Sequence, residues 1–186
     1  MAKTKKEAAA GTHVALLRGI NVGRAKRIAM ADLRDLVADL GYGDVRTLLN
    51  SGNVVFTAPG VAADEAASRI EEAIEARLGV SSRTIVLTAG EVAAVVAENP
   101  LLDVADNPSR LLVAVLADAA DQKLLKPLTK EDWAPEVLAL GRRVAYVWMP
   151  EGILESRLWE TVGRALADRV TTRNWATVTK IHALTT

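Results

Sequence analysis

The first half of the chain alternates between strand-like apolar runs and helix-like apolar spacing. Short apolar runs bounded by turn residues predict strands, and they lie at 13–18, 45–49, 54–57 and 83–87. Apolar residues that recur every three or four positions predict helices, and they lie at 30–40, at 64–78 and, after Thr88 as N-cap, up to Glu98. The turn at 50–53 would join the second and third strands as a hairpin. The predicted order βαββαβ is the split βαβ, or ferredoxin-like, order.

The second half repeats this order in part. Strands are predicted at 111–116, 137–140 and 143–148, and helices at 121–125 and 153–169. A last short helix would follow the run at 171–175, with Thr172 or Asn174 as its N-cap. The order βαββα predicts a weak internal repeat of topology, because the two halves share an element order but no residue pattern that can be aligned.

These elements predict an α+β fold of two ferredoxin-like or related subdomains, in which antiparallel sheets carry helices packed on one face. The predicted boundaries give a disordered tail at 1–10, a ferredoxin-like βαββαβ subdomain at 11–98, a connector at 99–110, and a second βαββα subdomain with a C-terminal helix at 111–186. A chain of this length can bury a self-sufficient core in either arrangement, as one domain or two.

Composition narrows the class of protein. The chain has 23 basic and 23 acidic residues, so its surface as a whole is not built to attract a polyanion, although a local basic patch is allowed. It has no cysteine, which excludes disulfides and Cys-ligated metals and fits a reducing compartment. The Lys-rich start lacks the apolar stretch of a secretory signal, and no apolar run reaches the roughly 18 residues of a membrane span. We therefore expect a cytoplasmic protein with no membrane partner.

Two polar loops are expected to meet at one end of the first sheet. In a right-handed βαβ unit the first and second strands run parallel, so the exit of the first lies beside the hairpin after the second. The segments 19–27 and 50–53 would then gather cationic side chains, Asn amides and glycines whose backbone N–H groups a ligand can approach. Such a surface suits a carboxylate or phosphate. The candidate ligand-binding residues are Arg18, Gly19, Asn21, Gly23, Asn50, Ser51 and Asn53.

The run at 171–175 is a second candidate for anion binding. It offers hydroxyls, a guanidinium, an amide and an indole at a predicted helix start, which adds Thr172, Arg173 and Asn174 to the candidates. A purely structural reading stays open for both places, because Asn and Gly are ordinary turn residues and Trp175 can anchor the last helix. Neither a Walker A sequence nor GxGxxG is present, so ATP hydrolysis has no support.

Three sequence blocks resemble the bacterial "domain of unknown function 1697" family. They are LLRGINVG at 16–23, NSGNVVF at 50–56 and TTRNW at 171–175. The resemblance implies a compact α+β protein of two ferredoxin-like or related subdomains, and it brings no established activity. It also implies that the family signature includes Arg18, Asn21, Asn53, Arg173 and Asn174. The chain departs from the family at Arg24 and Ala176, where similar sequences usually have Gly and often Asn, which speaks against a role for bare backbone at 24 or an amide at 176.

The leading hypothesis is a binding module for a small anionic or nucleotide-like ligand, without cofactor or metal. Phosphate-led nucleic-acid binding is an alternative, although the first and third strands offer only Phe56 for base stacking. An enzyme of unknown class is another, but His13 and His182 stand apart and no catalytic residue is identified. A homodimer or scaffold is the fourth, because three tryptophans that cluster in the second half fit either a core or an interface. They are Trp133, Trp148 and Trp159.

Overall fold

The computed structural model describes residues 11–186, so the predicted disordered tail at 1–10 lies outside the described residues. The chain divides into two compact units. The first contains the described residues up to Ala93 together with Ile181–Thr186, and the second is Ala94–Lys180. Each unit carries a four-stranded antiparallel sheet with helices, which confirms the α+β prediction. The predicted subdomain boundaries at 98 and 110 stay a prediction.

The first sheet has the strand order β2-β3-β1-β4. Its strands are β1 (Thr12–Leu17), β2 (Gly43–Leu48), β3 (Asn53–Thr57) and β4 (Thr84–Thr88). β1 pairs antiparallel with β3 and β4, and at its end Leu16 lies opposite Asn53 and Leu17 opposite Thr84. Since β1 and β2 are both antiparallel to β3, they run parallel to each other. The exit of β1, the β2–β3 turn and the entry of β4 therefore share one end of the sheet.

Two helices cover one face of this sheet, α1 (Met30–Asp39) and α2 (Ala63–Leu78). Their buried residues are Leu33, Leu36 and Val37 in α1 and Ala66, Ile70 and Ile74 in α2. These side chains form one core with sheet residues Ala15, Leu17, Val54, Phe56 and Val86. Because this spacing places one apolar stripe on each helix, the sequence pattern located both helices to within one residue of their ends.

A third helix, α3 (Ala89–Ala97), begins with a capping box. The Glu91 N–H donates to Thr88 Oγ1 at 3.2 Å, and the Glu91 carboxylate accepts from the Thr88 N–H at 2.8 Å. These bonds satisfy backbone donors that a helix leaves without partners at its start. Thr88 is therefore the N-cap that the sequence predicted.

The second sheet has the order β6-β7-β5-β8, which repeats the order of the first. Its strands are β5 (Leu111–Leu116), β6 (Val137–Leu140), β7 (Val144–Trp148) and β8 (Val170–Asn174). Its helices are α4 (Gln122–Leu125) and α5 (Arg157–Leu166), and α6 (Trp175–Thr185) follows β8. Short 3-10 turns at Ala119–Asp121 and Pro127–Lys130 flank α4. The repeat of topology is thus more complete than the sequence indicated.

β8 corrects two predictions. It pairs antiparallel with β5, so the second half reads βαββαβ before its last helix, and not βαββα. The run at 171–175 is mostly strand, and Thr172 lies within it opposite Ala114. Asn174 is the N-cap of α6, since its Oδ1 accepts from the Thr177 N–H at 2.9 Å. The sequence did not predict this strand because most of its side chains are polar, although β-branched Thr favours strands.

The start of α5 also differs from the prediction. Ile153 and Leu154 fit the helical spacing of the sequence, but both are exposed and the helix begins at Arg157. Ser156 is the N-cap, because its Oγ accepts from the Trp159 N–H at 2.8 Å. The Ser156 hydroxyl indicates the helix start better than the apolar spacing does. It accepts a hydrogen bond from a backbone N–H that has no partner within a helix that begins at Arg157.

Packing explains three of the four tryptophans of the second unit. Trp148 is buried, whereas Trp133 and Trp159 are half-buried against the core beneath α5. The Trp133 indole N–H donates to Leu128 O at 2.7 Å, and the Arg157 guanidinium lies 5.6 Å from its ring centre. Trp133 and Trp159 therefore pack against the core of the second unit.

Tyr146 makes the stability of the second unit depend on pH in the alkaline range. Its side chain is buried on β7, and its hydroxyl donates to Val95 O at 2.7 Å. Burial first, and the Glu98 carboxylate second, raise the pKa of Tyr146 from 10.0 to about 12. The unfolded chain therefore loses this proton first, so the contribution to stability is full below pH 10 and is lost as the pH rises through about 12.

The variant Tyr146→Phe tests this pH dependence of stability. Near neutral pH we expect the variant to be about 1 kcal/mol less stable, because the bond to Val95 is lost. Between about pH 10 and 12 the wild type should lose roughly 2 kcal/mol more than the variant, since one pKa unit is worth about 1.4 kcal/mol. Chemical denaturation of both proteins across this range measures the difference. Parallel pH curves would contradict the assignment.

Candidate functional site

Three segments meet where β1 ends, and we call them together the loop end: residues 18–29, 49–53 and 79–83. The Leu17 N–H donates to Gly52 O at 2.9 Å, and the Arg18 N–H donates to Arg83 O at 2.8 Å. The Ser82 hydroxyl adds a bond to Arg18 O at 2.9 Å. The exit of β1 is thereby bonded to both neighbouring segments, which places the candidate residues of the first unit at one surface.

Asn21 closes the first segment on itself and ties it to the β2–β3 turn. Its N–H donates to Lys26 O at 3.0 Å, and its Oδ1 accepts from the Ile28 N–H at 2.9 Å. Its Nδ2 donates at 2.9 Å to both Ile28 O and Asn50 O. The backbone of Asn21 is left-handed, with φ 55°, a conformation that Asn tolerates better than most residues. The Asn21 amide is therefore used to hold the loop end together.

Asn53 has a similar role inside the turn. It is fully buried, and its Nδ2 donates to Leu48 O and to Ser51 Oγ, each at 2.9 Å. Both bonds cross the turn that joins β2 to β3. Asn50 and Ser51, by contrast, are exposed. The buried amide of Asn53 therefore stabilises the turn, whereas Asn50 and Ser51 are exposed to solvent.

The glycines of the loop end differ in their surroundings. Gly52 has φ 79°, and a Cβ there would lie 2.8 Å from Leu17 Cβ and 2.8 Å from Ile20 Cδ1. Gly19 and Gly23 also have positive φ, 65° and 64°, but a Cβ at either would meet nothing within 4 Å. Packing therefore requires glycine at 52, whereas at 19 and 23 the exposed backbone is open to an approaching ligand.

Charge is segregated at the loop end. Its five exposed cationic side chains are Arg18, Arg24, Lys26, Arg27 and Arg83, and no Asp or Glu occurs within its three segments. The adjoining helices bring two carboxylates, Asp32 in the first turn of α1 and Glu71 of α2, which accepts from the Thr84 N–H. The chain as a whole has no net charge. Positive charge is therefore concentrated at the loop end of a chain that is neutral as a whole.

The second group of candidates lies on β8 and at the start of α6 in the second unit. Arg173 is buried, and its Nη1 donates to Thr171 Oγ1 at 3.1 Å and to Thr172 O at 2.7 Å. Burial lowers the pKa of Arg173 to about 10, so the guanidinium stays charged at neutral pH. Thr172 is half-buried on β8, and Asn174 caps α6. The contacts of Arg173 and Asn174 brace their own unit.

The histidines are separate from the loop end. His13 is buried on β1, with Nδ1 2.9 Å from Gly11 O and its ring stacked on Phe56 at 5.6 Å. His182 is half-buried in α6. Across residues 11–186, no group of three or more His, Asp or Glu side chains could hold a metal ion. Over that range, too, each helix is too short or too polar to cross a bilayer.

A family model described as "Protein of unknown function (DUF1697)" matches residues 11–146. The chain belongs to this family. A similar solved structure is "The structure of conserved bacterial protein SP0830 from Streptococcus pneumoniae", which is 22% identical with a TM-score of 0.78 and covers 95% of this chain and 99% of that one. Comparison with curated proteins finds no match. The structural likeness supports the fold, and the DUF1697 description assigns no activity.

Two of the three signature blocks lie within the part of the chain that the DUF1697 model matches. These blocks, at 16–23 and 50–56, supply Asn21, Gly52 and Asn53, whose contacts shape the loop end. The third block, at 171–175, lies beyond the matched residues and forms most of β8. In this DUF1697 protein the signature amides of the loop end are therefore bonded within the fold.

Arg83 is a cationic residue of the loop end that sequence reasoning missed. It precedes β4, and its carbonyl accepts from the Arg18 N–H. The signal was available, because in the split βαβ order the fourth strand pairs antiparallel with the first, so its entry must lie at the exit of the first.

Proposed function

We propose that this DUF1697 protein binds a small anionic or nucleotide-like ligand at the loop end. The observation that carries the proposal is the segregation of five exposed cationic side chains, without a carboxylate in the same three segments, in a chain of zero net charge. Arginine adds a planar fork that can donate two parallel bonds to a phosphate or carboxylate. A cytoplasmic location is part of the proposal, supported by a sequence without cysteine.

The residues of the loop end divide into contact and support roles in this proposal. Arg18, Arg24 and Arg27 contact the anion, together with the exposed polar groups of Asn50 and Ser51. Backbone N–H groups around Gly19 and Gly23 complete the cradle, since the space beside both glycines is open. Asn21 and Asn53 hold these groups in place through the bonds already described.

Phosphate-led nucleic-acid binding is the second candidate for the same surface. The cationic residues favour it, because they would neutralise successive phosphates. Base stacking is not supported, since the two aromatic rings on β1 and β3, His13 and Phe56, are both buried. A nucleic acid would therefore be held through its backbone, with an affinity that falls steeply as salt is raised.

The proposal is tested by titration calorimetry with inorganic tripolyphosphate, ATP and a short RNA, each at low and at physiological salt. The triple variant Arg24→Gln, Lys26→Gln, Arg27→Gln should weaken binding of a small anion at least about tenfold, because bonds to charged groups are worth roughly 1.5 to 3 kcal/mol each. The matched control is Lys123→Gln, Lys126→Gln, Lys130→Gln, which removes the same charge from exposed residues of the second unit.

The outcomes separate the two candidates. Binding of tripolyphosphate or ATP that is lost in the first triple variant and kept in the control supports the small-anion proposal. Binding of RNA alone, with strong salt dependence, supports the nucleic-acid alternative. No binding by any probe, or equal losses in both triple variants, would overturn both, because the cationic residues of the loop end would then have no special role.

A further inference from the structure

The edge strand β6 of the second sheet is short, but it lacks the charge, proline and bulge that commonly protect a strand edge. Its four residues, Val137–Leu140, are apolar and half-buried, and they include no charge, proline or bulge. β6 pairs with β7 on one side and is the first strand in the sheet order. An uncharged, regular edge of this kind can pair with a further strand.

The edge strand β2 of the first sheet offers a contrast within the same molecule. Its register shifts between Gly43 and Arg46, and Asp44 between them has a positive φ of 47°. Arg46 also donates from its side chain to Leu184 O at 2.8 Å. Irregular register and charged side chains are the usual protection of an edge strand. β2 has this protection and β6 does not.

The hydrogen-bond pattern identifies the groups that β6 presents outward. The Gly141 N–H donates to Val144 O at 2.8 Å, so these two residues form a hydrogen-bonded pair of the β6–β7 hairpin. Such pairs alternate along an antiparallel ladder, which makes Ala139 and Val137 the next bonded residues of β6. Leu138 and Leu140 therefore direct their N–H and C=O groups away from β7. Within residues 11–186, the backbone bonds outside helices and strands include none from these two leucines.

We propose that a second copy of this chain pairs with β6, strand against strand, about a two-fold axis. Outward groups must face outward groups, so Leu138 of one copy lies opposite Leu140 of the second copy and Ala139 lies on the axis. Two four-stranded sheets become one continuous sheet of eight strands. The pairing places apolar residues against identical apolar residues, as a self-complementary contact requires.

Charge supports the antiparallel register. The same register brings Glu136, just before β6, near Arg142 of the second copy, in the turn after β6, and the two-fold axis repeats this pair. Glu136 is half-buried and accepts from the Leu158 N–H at 3.1 Å. Arg142 is 81% exposed and lies 2.9 Å from the Glu98 carboxylate. Because that exposed ion pair is worth little, Arg142 can turn to Glu136 of the second copy without a large cost.

Sedimentation velocity and amide hydrogen exchange test the pairing. The wild type should pass from monomer to dimer as its concentration is raised from about 10 μM to about 1 mM, since a four-residue edge predicts an affinity at the weak end of specific contacts. Over the same range the amides of Leu138 and Leu140 should become protected from exchange, whereas the Ala139 amide, bonded to β7, should not change. This pattern is specific to pairing at β6.

Charge reversal supplies the decisive comparison. Arg142→Glu should weaken the dimer at least about tenfold, because it places like charges near each other twice. The double variant Glu136→Arg, Arg142→Glu restores both pairs and should restore the dimer. The matched control is Arg164→Glu, another exposed arginine of this unit that is ion-paired with a glutamate. A monomer at all concentrations, or a dimer that Arg142→Glu leaves unchanged without protection of Leu138 and Leu140, would overturn the proposal.

Discussion

Gly52→Ala should lower the free energy of unfolding by about 2 to 5 kcal/mol. The left-handed backbone of Gly52 costs an alanine roughly 1 to 2 kcal/mol, and the added methyl group would lie 2.8 Å from Leu17 Cβ and Ile20 Cδ1. Leu17 is fully buried and Ile20 nearly so, so neither can give way freely. Overpacking of such a site typically adds roughly 1 to 3 kcal/mol.

The matched control for this substitution is Gly19→Ala. Gly19 has φ 65°, close to the 79° of Gly52, but an added methyl group meets nothing within 4 Å. We expect a loss of about 1 to 2 kcal/mol there, from the backbone alone. Denaturant titration of the two variants isolates the packing contribution as their difference. Equal losses at 52 and 19 would show that the turn moves aside without cost.

Asn53→Asp is expected to have an effect of similar size. The replacement keeps the shape of the side chain but removes the Nδ2 donor that bonds Leu48 O and Ser51 Oγ. A buried carboxylate would then face a carbonyl oxygen, and an uncompensated buried charge costs about 3 to 5 kcal/mol. We expect the free energy of unfolding near neutral pH to fall by this amount.

The pH dependence of the Asn53→Asp variant identifies the cause. Burial raises the pKa of the introduced carboxyl in the folded state, so the penalty grows as the pH rises above about 4, the value for an unfolded aspartate. At lower pH the neutral carboxyl can donate one of the two lost bonds. Asn50→Asp is the control, because Asn50 is exposed and its Oδ1 already accepts from Asn21 Nδ2. A deficit that does not depend on pH would contradict this account.

The sequence predicts most of the fold because its helices carry one apolar stripe and its central strands are continuous apolar runs. α1, α2, β5 and β6 were located to within a residue for this reason. β8 was missed because its residues Thr171–Asn174 are polar, and their place in the sheet depends on pairing with β5, which is distant in sequence. Local pattern cannot reveal a strand whose stability comes from such a partner.

The sequence predicted that two of the three segments of the loop end meet, but it did not predict the contacts within them. Strand direction alone brought the 19–27 and 50–53 segments to one end of the sheet. Sequence could not reveal that the Asn21 amide bonds Ile28 and Asn50, or that Asn53 is fully buried, because both facts depend on how the loops fold back on each other. A polar residue in a loop has the same appearance in sequence whether it binds a ligand or a neighbouring carbonyl.

The bond from Arg46 to Leu184 O joins residues that are 138 positions apart. A ribosome adds about 5 to 20 residues per second, so β2 emerges roughly 7 to 28 seconds before its partner in α6 can reach it. During that interval the nascent first unit must persist without the contacts of Ile181–Thr186, which belong to it in the finished protein. The pace at which the second unit is translated therefore sets how long chaperones and proteases meet an incomplete first unit.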